Sequence, residues 1–229
     1  MKKKIFYISI LFFLILSTNI YSMYSIPIWS NYTDTIEVNT GTTLENFLNL
    51  ESESAILIEE STGRVLYEKN SHALLRPASV TKIMTMLLVM EALDSGAISL
   101  TDRVACSETA RSMGGSQIWL NETEQLSVEE MLKAICVVSA NDCTVAMAEL
   151  LAGSEELFLV QMNEKAKSLG MNDTVFKNSH GIDEDGHLTS SYDISLMSRE
   201  LLLNHPSIKK YTTIWMDSLR ERKIRSCKY

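Results

Sequence analysis

The chain has 229 residues, of which 45% are hydrophobic, so it can bury a substantial core and does not have the composition of a disordered protein. Its length allows one large domain or a domain and a half. The formal net charge is −8, and removing residues 1–22 takes away three lysines and no acidic residue, which leaves −11. We expect no nucleic-acid partner, because an acidic chain repels phosphates.

The N-terminus has the pattern of a secretory signal peptide. The basic stretch Lys2–Lys4 precedes an apolar run from Ile5 to Leu16, which at about a dozen residues is short for a membrane span. The cleavage site is poorly defined, because Ile20-Tyr21-Ser22 offers a small residue at one position only. We predict a signal peptide at residues 1–22 and an exported, extracytoplasmic protein of the cell envelope. Retention as an uncleaved membrane anchor is the alternative.

The cysteines do not match the spacing of a metal site. They are Cys106, Cys136, Cys143 and Cys227, and the second and third fall in apolar helical stretches. We therefore expect no disulfide, no metal and no cofactor.

After a polar lead at residues 23–50, the pattern predicts one β-hairpin and then helices. The apolar stretch Ser54–Glu60 and the returning stretch Arg64–Glu68 flank a turn that contains Gly63. An extended segment is predicted at residues 100–104. Helices are predicted from Pro77 to Asp94 with Gly96 beyond the C-cap, then from Ser127 to Val138, Cys143 to Leu151, Ser154 to Leu169, Thr189 to Asn204 and Pro206 to Trp215.

The first of these helices carries a candidate nucleophile. Pro77 suits a first turn because it has no N–H to leave unpaired. Ser79 and Lys82 are three residues apart and therefore share a helical face. A serine at a helix start is ordinarily a cap. The alternative is a nucleophile with an amine base, because a lysine that is buried there has a lowered pKa and can accept the serine proton.

A second polar group, Ser139-Ala140-Asn141-Asp142, separates two apolar helices. Polar side chains buried in such a break need partners. Ser139 can relay a proton between Lys82 and a leaving amine, and the Asn141 amide can bind a substrate amide or orient Lys82. The ordinary interpretation is a turn in which Asn141 or Asp142 caps the next helix. Upstream, Gly114-Gly115-Ser116 indicates either a close backbone approach or a plain turn.

Together these motifs resemble the low-molecular-mass D-alanyl-D-alanine carboxypeptidases, which are penicillin-binding proteins. The resemblance covers residues 50–218 and is closest to the sporulation-associated and vegetative enzymes of Gram-positive bacteria. The strings that carry it are Arg76–Thr85, Gly114–Gln117, Val138–Asp142, Asn178–Gly181 and Gly186–Asp193. It implies an α/β (α+β) fold of the β-lactamase/transpeptidase-like type, with a helical subdomain and an antiparallel sheet, in a catalytic domain at residues 51–215.

The resemblance implies acyl transfer on peptidoglycan stem peptides that end in D-Ala-D-Ala. Ser79 is the implied nucleophile, and its backbone N–H is half of an oxyanion hole. Lys82 is the implied base, and Ser139 passes the proton to the departing D-alanine. Water then releases the acyl-enzyme.

The same resemblance implies a substrate site and an inhibitor class. The implied substrate-binding residues are Asn141, Gly115 and Ser116. β-Lactam antibiotics are the implied covalent inhibitors of the serine. His180 and His187 are interpreted as loop-packing residues without a catalytic role.

The sequence departs from the family at its third motif. A Lys-Thr-Gly triplet on a later strand supplies a cation for the substrate carboxylate and a second oxyanion donor, and the chain contains no such triplet. Residues 216–229 are interpreted as an atypical tail, because Glu221–Tyr229 shows neither alternation nor an apolar face. We therefore expect a C-terminally truncated member with an incomplete sheet. Loss of one oxyanion donor alone typically costs about 3–4 kcal/mol of transition-state stabilisation.

Two other functions stay open from the sequence. An inactive relative, or a pseudoenzyme that binds stem peptides, is favoured by the missing third motif. A serine β-lactamase would share Ser79, Lys82, Ser139 and Asn141 but needs a carboxylate that promotes deacylation.

Overall fold

Helices are the main secondary structure of the part of the chain that the computed structural model describes, which is residues 48, 50–220 and 222–225. The predicted signal peptide and most of the polar lead lie outside the described residues. The helices are α1 (Lys82–Asp94), α2 (Glu108–Arg111), α3 (Val128–Val138), α4 (Asn141–Ala152), α5 (Glu155–Ser168), α6 (Ser191–Asn204) and α7 (Lys209–Thr212). The strands are β1 (Ala55–Ile58), β2 (Val65–Lys69), β3 (Arg103–Ala105), β4 (Gln125–Ser127), β5 (Met216–Leu219) and β6 (Arg222–Arg225).

The described strands form separate two-stranded antiparallel sheets, β1–β2, β3–β4 and β5–β6. The first confirms the predicted hairpin, with Ala55 opposite Lys69. Its residues Leu57, Val65 and Leu66 are 53%, 39% and 40% exposed, so the described part of the chain leaves apolar side chains of this hairpin uncovered. The combination of a helical body with small antiparallel sheets agrees with the predicted α+β class.

Helix α1 is central because apolar residues follow one another around all of its faces. Met84, Leu87 and Val89 are fully buried, and the helix packs against α4 and α6. Helix α4 is equally enclosed, since each residue from Asn141 to Ala148 is buried. The first turns of α1 and α4 meet, and this junction positions the candidate site.

Local signals set several helix ends as predicted. Ser127 and Glu130 form a capping box, in which the Glu130 N–H donates to Ser127 Oγ at 3.2 Å and the Ser127 N–H donates to Glu130 Oε2 at 2.8 Å. Gly96 follows the C-cap of α1 with φ +74°.

Two predicted boundaries are wrong by two residues. Helix α4 begins at Asn141 rather than Cys143, so the break between α3 and α4 is shorter than predicted. Helix α6 begins at Ser191 rather than Thr189, because the Ser190 side chain accepts the Asp193 N–H and caps the helix.

The segment interpreted as an atypical tail contains a hairpin that the pattern does not predict. Strands β5 and β6 pair with Met216 opposite Arg225. Leu219 is 5% exposed, and Arg220 donates to the Ile118 carbonyl at 3.0 Å. The sequence Met216–Leu219 does not alternate between apolar and polar residues, so a period-2 search does not identify β5. The domain boundary at residue 216 stays a prediction.

None of the helices in the described ranges is both long and apolar enough to cross a membrane.

We expect Ser127→Ala to lower the free energy of unfolding by about 1 kcal/mol, because the Glu130 N–H loses its acceptor. Denaturant titration followed by circular dichroism measures the change. Ser168→Ala is the matched control, since that exposed hydroxyl only donates to the Lys165 carbonyl, and surface changes of this kind stay within about 0.5 kcal/mol. Equal losses in the two variants would contradict the capping role.

Candidate active site

Ser79 lies in a 3-10 turn, Ala78–Thr81, that leads directly into α1. Its side chain is exposed, and its Oγ lies 3.3 Å from Lys82 Nζ. Neither the turn nor α1 has a side-chain cap hydrogen bond. The ordinary interpretation of Ser79 as a helix cap therefore does not apply, and the hydroxyl is available to solvent beside an amine.

Lys82 is only 3% exposed and lies among three oxygen atoms. Its Nζ donates to the His180 carbonyl at 2.6 Å and to Asn141 Oδ1 at 2.7 Å, and the third oxygen is Ser79 Oγ. Burial lowers the Lys82 pKa from 10.5 to about 8. At pH 7 about a tenth of the side chain is then free amine, against roughly one part in 3000 at the ordinary pKa.

The three oxygens differ in what they can do. A carbonyl and an amide oxygen only accept hydrogen bonds, so they use the two N–H groups of a neutral amine. The lone pair of the nitrogen is then left for the hydroxyl of Ser79. The arrangement favours proton transfer from Ser79 to Lys82.

Asn141 is held at both ends of its amide. Its Oδ1 accepts from Lys82, and its Nδ2 donates to the Gly114 carbonyl at 2.8 Å. Its backbone N–H donates to the Ser116 carbonyl at 2.7 Å. The N-cap of α4 is Ala140, without a side-chain cap, so neither Asn141 nor Asp142 has the capping role of the ordinary interpretation.

The close approach suggested by the paired glycines occurs at Asn141. Gly115 has φ +75°, and a Cβ added there would lie 2.8 Å from Asn141 Nδ2. A larger residue would displace either the loop or the amide. The structure thus brings the predicted substrate-binding residues Gly115, Ser116 and Asn141 together.

Ser139 is the C-cap of α3, half-buried, with φ +58°. Its N–H donates to the Ile135 carbonyl at 3.0 Å. The hydrogen bonds among the described residues connect Ser79, Lys82 and Asn141 but do not include the Ser139 hydroxyl. Ser139 stays a predicted proton relay, two residues from Asn141.

The loop Asn178–Gly181 forms a wall of the site that residue-by-residue analysis of the sequence missed. The His180 carbonyl contacts Lys82, while the His180 ring is buried near Glu155, 3.7 Å between Nε2 and Oε1. A backbone carbonyl leaves no residue-type signal in a sequence. The available signal was the family string Asn178–Gly181, which was not assigned to the site.

Gly181 packs directly against the turn that carries the nucleophile. A Cβ added to Gly181, which has φ +91°, would lie 1.8 Å from the Ala78 carbonyl oxygen. Ala78 itself has φ +47°, an uncommon conformation for a residue other than glycine. The surrounding structure holds this strained turn in place.

His187 supports the same turn through a chain of hydrogen bonds. The Lys177 N–H donates to His187 Nδ1 at 3.0 Å, so the ring proton is on Nε2, which donates to Thr81 Oγ1 at 2.8 Å. The Thr81 hydroxyl in turn donates to the Ala78 carbonyl at 2.8 Å. His187 therefore has a structural contact that explains its burial.

A sequence model of the D-alanyl-D-alanine carboxypeptidases, peptidase family S11, matches residues 39–229. The chain belongs to this family. It is 56% identical over 171 residues to D-alanyl-D-alanine carboxypeptidase DacF of Bacillus subtilis, covering 75% of this chain and 44% of DacF. It is 35% identical over 164 residues to DacC of Escherichia coli, covering 69% of this chain and 41% of DacC. The chain thus spans less than half the length of these curated relatives.

Solved structures of penicillin-binding proteins have the same fold. Penicillin binding protein 6B from Escherichia coli superposes with a TM-score of 0.74 and 29% identity, covering 78% of this chain and 59% of that protein. Penicillin-Binding Protein D2 from Listeria monocytogenes, in its ampicillin-bound form, superposes with a TM-score of 0.69 and 28% identity, covering 78% and 73%. These neighbours support a penicillin-binding-protein fold for this carboxypeptidase family member.

The described residues that could together bind a metal ion lie away from this site. Ligand atoms of Glu91, Glu200 and His205 lie within 4.8 Å of one another. The Lys165 ammonium contacts both glutamates, Glu91 closely and Glu200 at 3.6 Å. We assign no metal role to this cluster, because the Lys165 ammonium already pairs with both of its carboxylates.

We expect Gly181→Ala to be more destabilising than Gly170→Ala. Both positions have positive φ, but a Cβ at Gly170 meets no atom within 4 Å, whereas one at Gly181 overlaps the Ala78 carbonyl. Strain alone costs about 1 kcal/mol, and the overlap adds roughly 1–3 kcal/mol. Thermal unfolding of the two variants measures the difference, and equal midpoints would contradict the close packing of Gly181 on the turn.

Proposed function

We propose that this protein is a serine-type D-alanyl-D-alanine carboxypeptidase that acts on peptidoglycan stem peptides through Ser79. The observation that carries the proposal is the buried Lys82 amine, bounded by the Ser79 hydroxyl and two oxygens that only accept hydrogen bonds. Family membership supports the substrate class.

In the first step, Ser79 Oγ attacks the carbonyl carbon between the two terminal D-alanines, and Lys82 takes the hydroxyl proton. Negative charge develops on the substrate oxygen, which the Ser79 backbone N–H stabilises. The C–N bond then breaks, and a proton passes from Lys82 through the Ser139 hydroxyl to the departing amine. The product is an ester on Ser79 and free D-alanine.

In the second step, water attacks the ester, and Lys82 is again the base. The carboxylic acid product leaves and Ser79 recovers its proton. Asn141 holds the substrate amide through its side-chain amide, and the exposed backbone of Gly115 and Ser116 borders the peptide. No cofactor is required by this sequence of steps.

β-Lactams are proposed ligands of the same serine. They contain a strained amide that an activated hydroxyl opens to a stable ester. The ampicillin-bound form of Listeria monocytogenes Penicillin-Binding Protein D2 supports this inhibitor class.

We further propose export to the cell envelope, where stem peptides are located. The support is the basic and apolar pattern of residues 1–22. Membrane attachment is proposed only through that segment, if it remains uncleaved.

Intact-mass analysis after incubation with benzylpenicillin tests the proposal. We expect a stoichiometric mass increase in the wild-type protein and none in Ser79→Ala. A folded wild-type protein without an adduct would contradict the proposal. It would favour a stem-peptide-binding pseudoenzyme. An adduct that forms and is hydrolysed within seconds would favour a β-lactamase.

We expect the acylation rate to increase with pH through about 8 and then to level off. The base must be the free amine, whose fraction grows as pH rises through the lowered pKa of Lys82. Stopped-flow acylation by a fluorescent penicillin between pH 6 and 10 measures this profile. Lys82→Arg, which stays protonated, should lose acylation at every pH. A flat wild-type profile would contradict Lys82 as the base.

A further inference from the structure

We propose that Asp142 is a positioning residue for Asn141 and Lys82, acting through the loop Gly114–Leu120. This inference rests on the proposed function, since it concerns the same site. It assigns a role to a buried carboxylate that the reaction itself does not use.

The Asp142 carboxylate is fully buried and accepts three backbone N–H groups. Ile118 donates to Oδ2 at 3.1 Å, Leu120 donates to Oδ2 at 3.0 Å, and Cys143 donates to Oδ1 at 2.9 Å. Two of these donors are in the loop and the third is in the first turn of α4. The carboxylate therefore fastens the loop to the start of the helix that carries Asn141.

The fastened loop is the one that orients the Asn141 amide. The Gly114 carbonyl accepts from Asn141 Nδ2, and the Ser116 carbonyl accepts from the Asn141 backbone N–H. With Nδ2 engaged, Oδ1 faces Lys82 at 2.7 Å. A rotated amide would point N–H groups at the Lys82 nitrogen and remove one of its two acceptors.

The loop is held in a conformation that it would not adopt freely. Trp119, between the two anchored residues, has φ +56° and is 70% exposed. Positive φ is strongly unfavourable for a bulky residue and persists only where the surroundings impose it. The N–H groups on either side of Trp119 both donate to Asp142, so loss of the carboxylate should let this segment relax.

Asp142 could act as a purely structural anchor or as a positioning residue, and the two roles predict different effects of its substitution. The anchor would affect only the stability of the fold. The positioning residue would also change the chemistry of Lys82, because a relaxed loop admits water to a buried amine and raises its pKa. In the described part of the chain, His180 lies beside Lys82, and the charges of Glu155, His187 and Glu184 act on the His180 ring. Burial lowers the His180 pKa below its usual value, and the charge of Lys82 acts in the same direction.

The test is Asp142→Asn, which keeps the shape but places an NH2 group against backbone donors. Acylation by benzylpenicillin should fall about 10–100-fold, the effect of a misplacement of the order of 1 Å. The midpoint of the pH profile should move from about 8 toward 10.5. Circular dichroism establishes that the variant is folded at the assay temperature.

Asp193→Asn is the matched control. Asp193 is also buried, at 1% exposure. It accepts hydrogen bonds from the Asp173 N–H at 2.8 Å and the Thr174 hydroxyl at 2.7 Å, and neither residue belongs to the site. This variant should lose stability but keep the wild-type rate and pH midpoint.

An Asp142→Asn protein with the wild-type rate and midpoint would overturn the inference. If this variant does not fold, Arg220→Gln replaces it, because Arg220 donates to the Ile118 carbonyl from a half-buried position. It should lower the rate several-fold and shift the midpoint in the same direction, and an unchanged profile would overturn the inference.

A titration that does not depend on acylation separates this inference from the proposed function. The 13Cε NMR signal of Lys82 reports its pKa directly. A higher Lys82 pKa in the variant supports the positioning role even if the wild-type protein forms no penicillin adduct. An unchanged Lys82 pKa overturns it in either case.

Discussion

The burial of a single lysine amine at the junction of α1 and α4 is the constraint on which the site depends. Lys82 has almost no contact with solvent, so its nitrogen must obtain every hydrogen bond from the protein. Two acceptors come from distant parts of the chain, the Asn141 side chain and the His180 backbone. Ser79 Oγ lies 3.3 Å from the same nitrogen, and the proposed acylation reaction depends on this contact.

Backbone strain is concentrated around this lysine. Five of the described residues other than glycine have positive φ, and three of them, Ala78, Trp119 and Ser139, border the site or its supporting loop. Gly181 and Thr81 contact Ala78, and Asp142 accepts the N–H groups on both sides of Trp119. Ser139 lies at the junction of α3 and α4. Strained conformations persist only when neighbouring structure imposes them, and they cluster at functional sites. The packing around the site thus maintains its geometry.

The helical body and the small sheets differ in how completely they are buried. Helices α1 and α4 are enclosed by other described elements, whereas the β1–β2 hairpin exposes apolar residues. The chain spans less than half the length of the curated relatives it matches. The structure brings together an amine, a hydroxyl and an amide, which the acylation step of the proposed reaction uses, and the amine is also the proposed base of the hydrolysis step.

The sequence by itself determined the helices with strong local signals and the placement of Ser79 and Lys82 in one helical turn. The capping box at Ser127, the Met-rich α1 and the β1–β2 hairpin are local patterns, so they were predictable without long-range contacts. Ser79 and Lys82 were predictable because they share one turn. Only the tertiary structure decided the rest, because it depends on contacts between residues far apart in the chain. Examples are the contact of the His180 carbonyl with Lys82, the packing of Gly181 against Ala78 and the hydrogen bonds of Asp142 to its loop. They involve backbone atoms and a buried side chain whose partners lie far away in the sequence, so no local pattern predicts the contacts themselves.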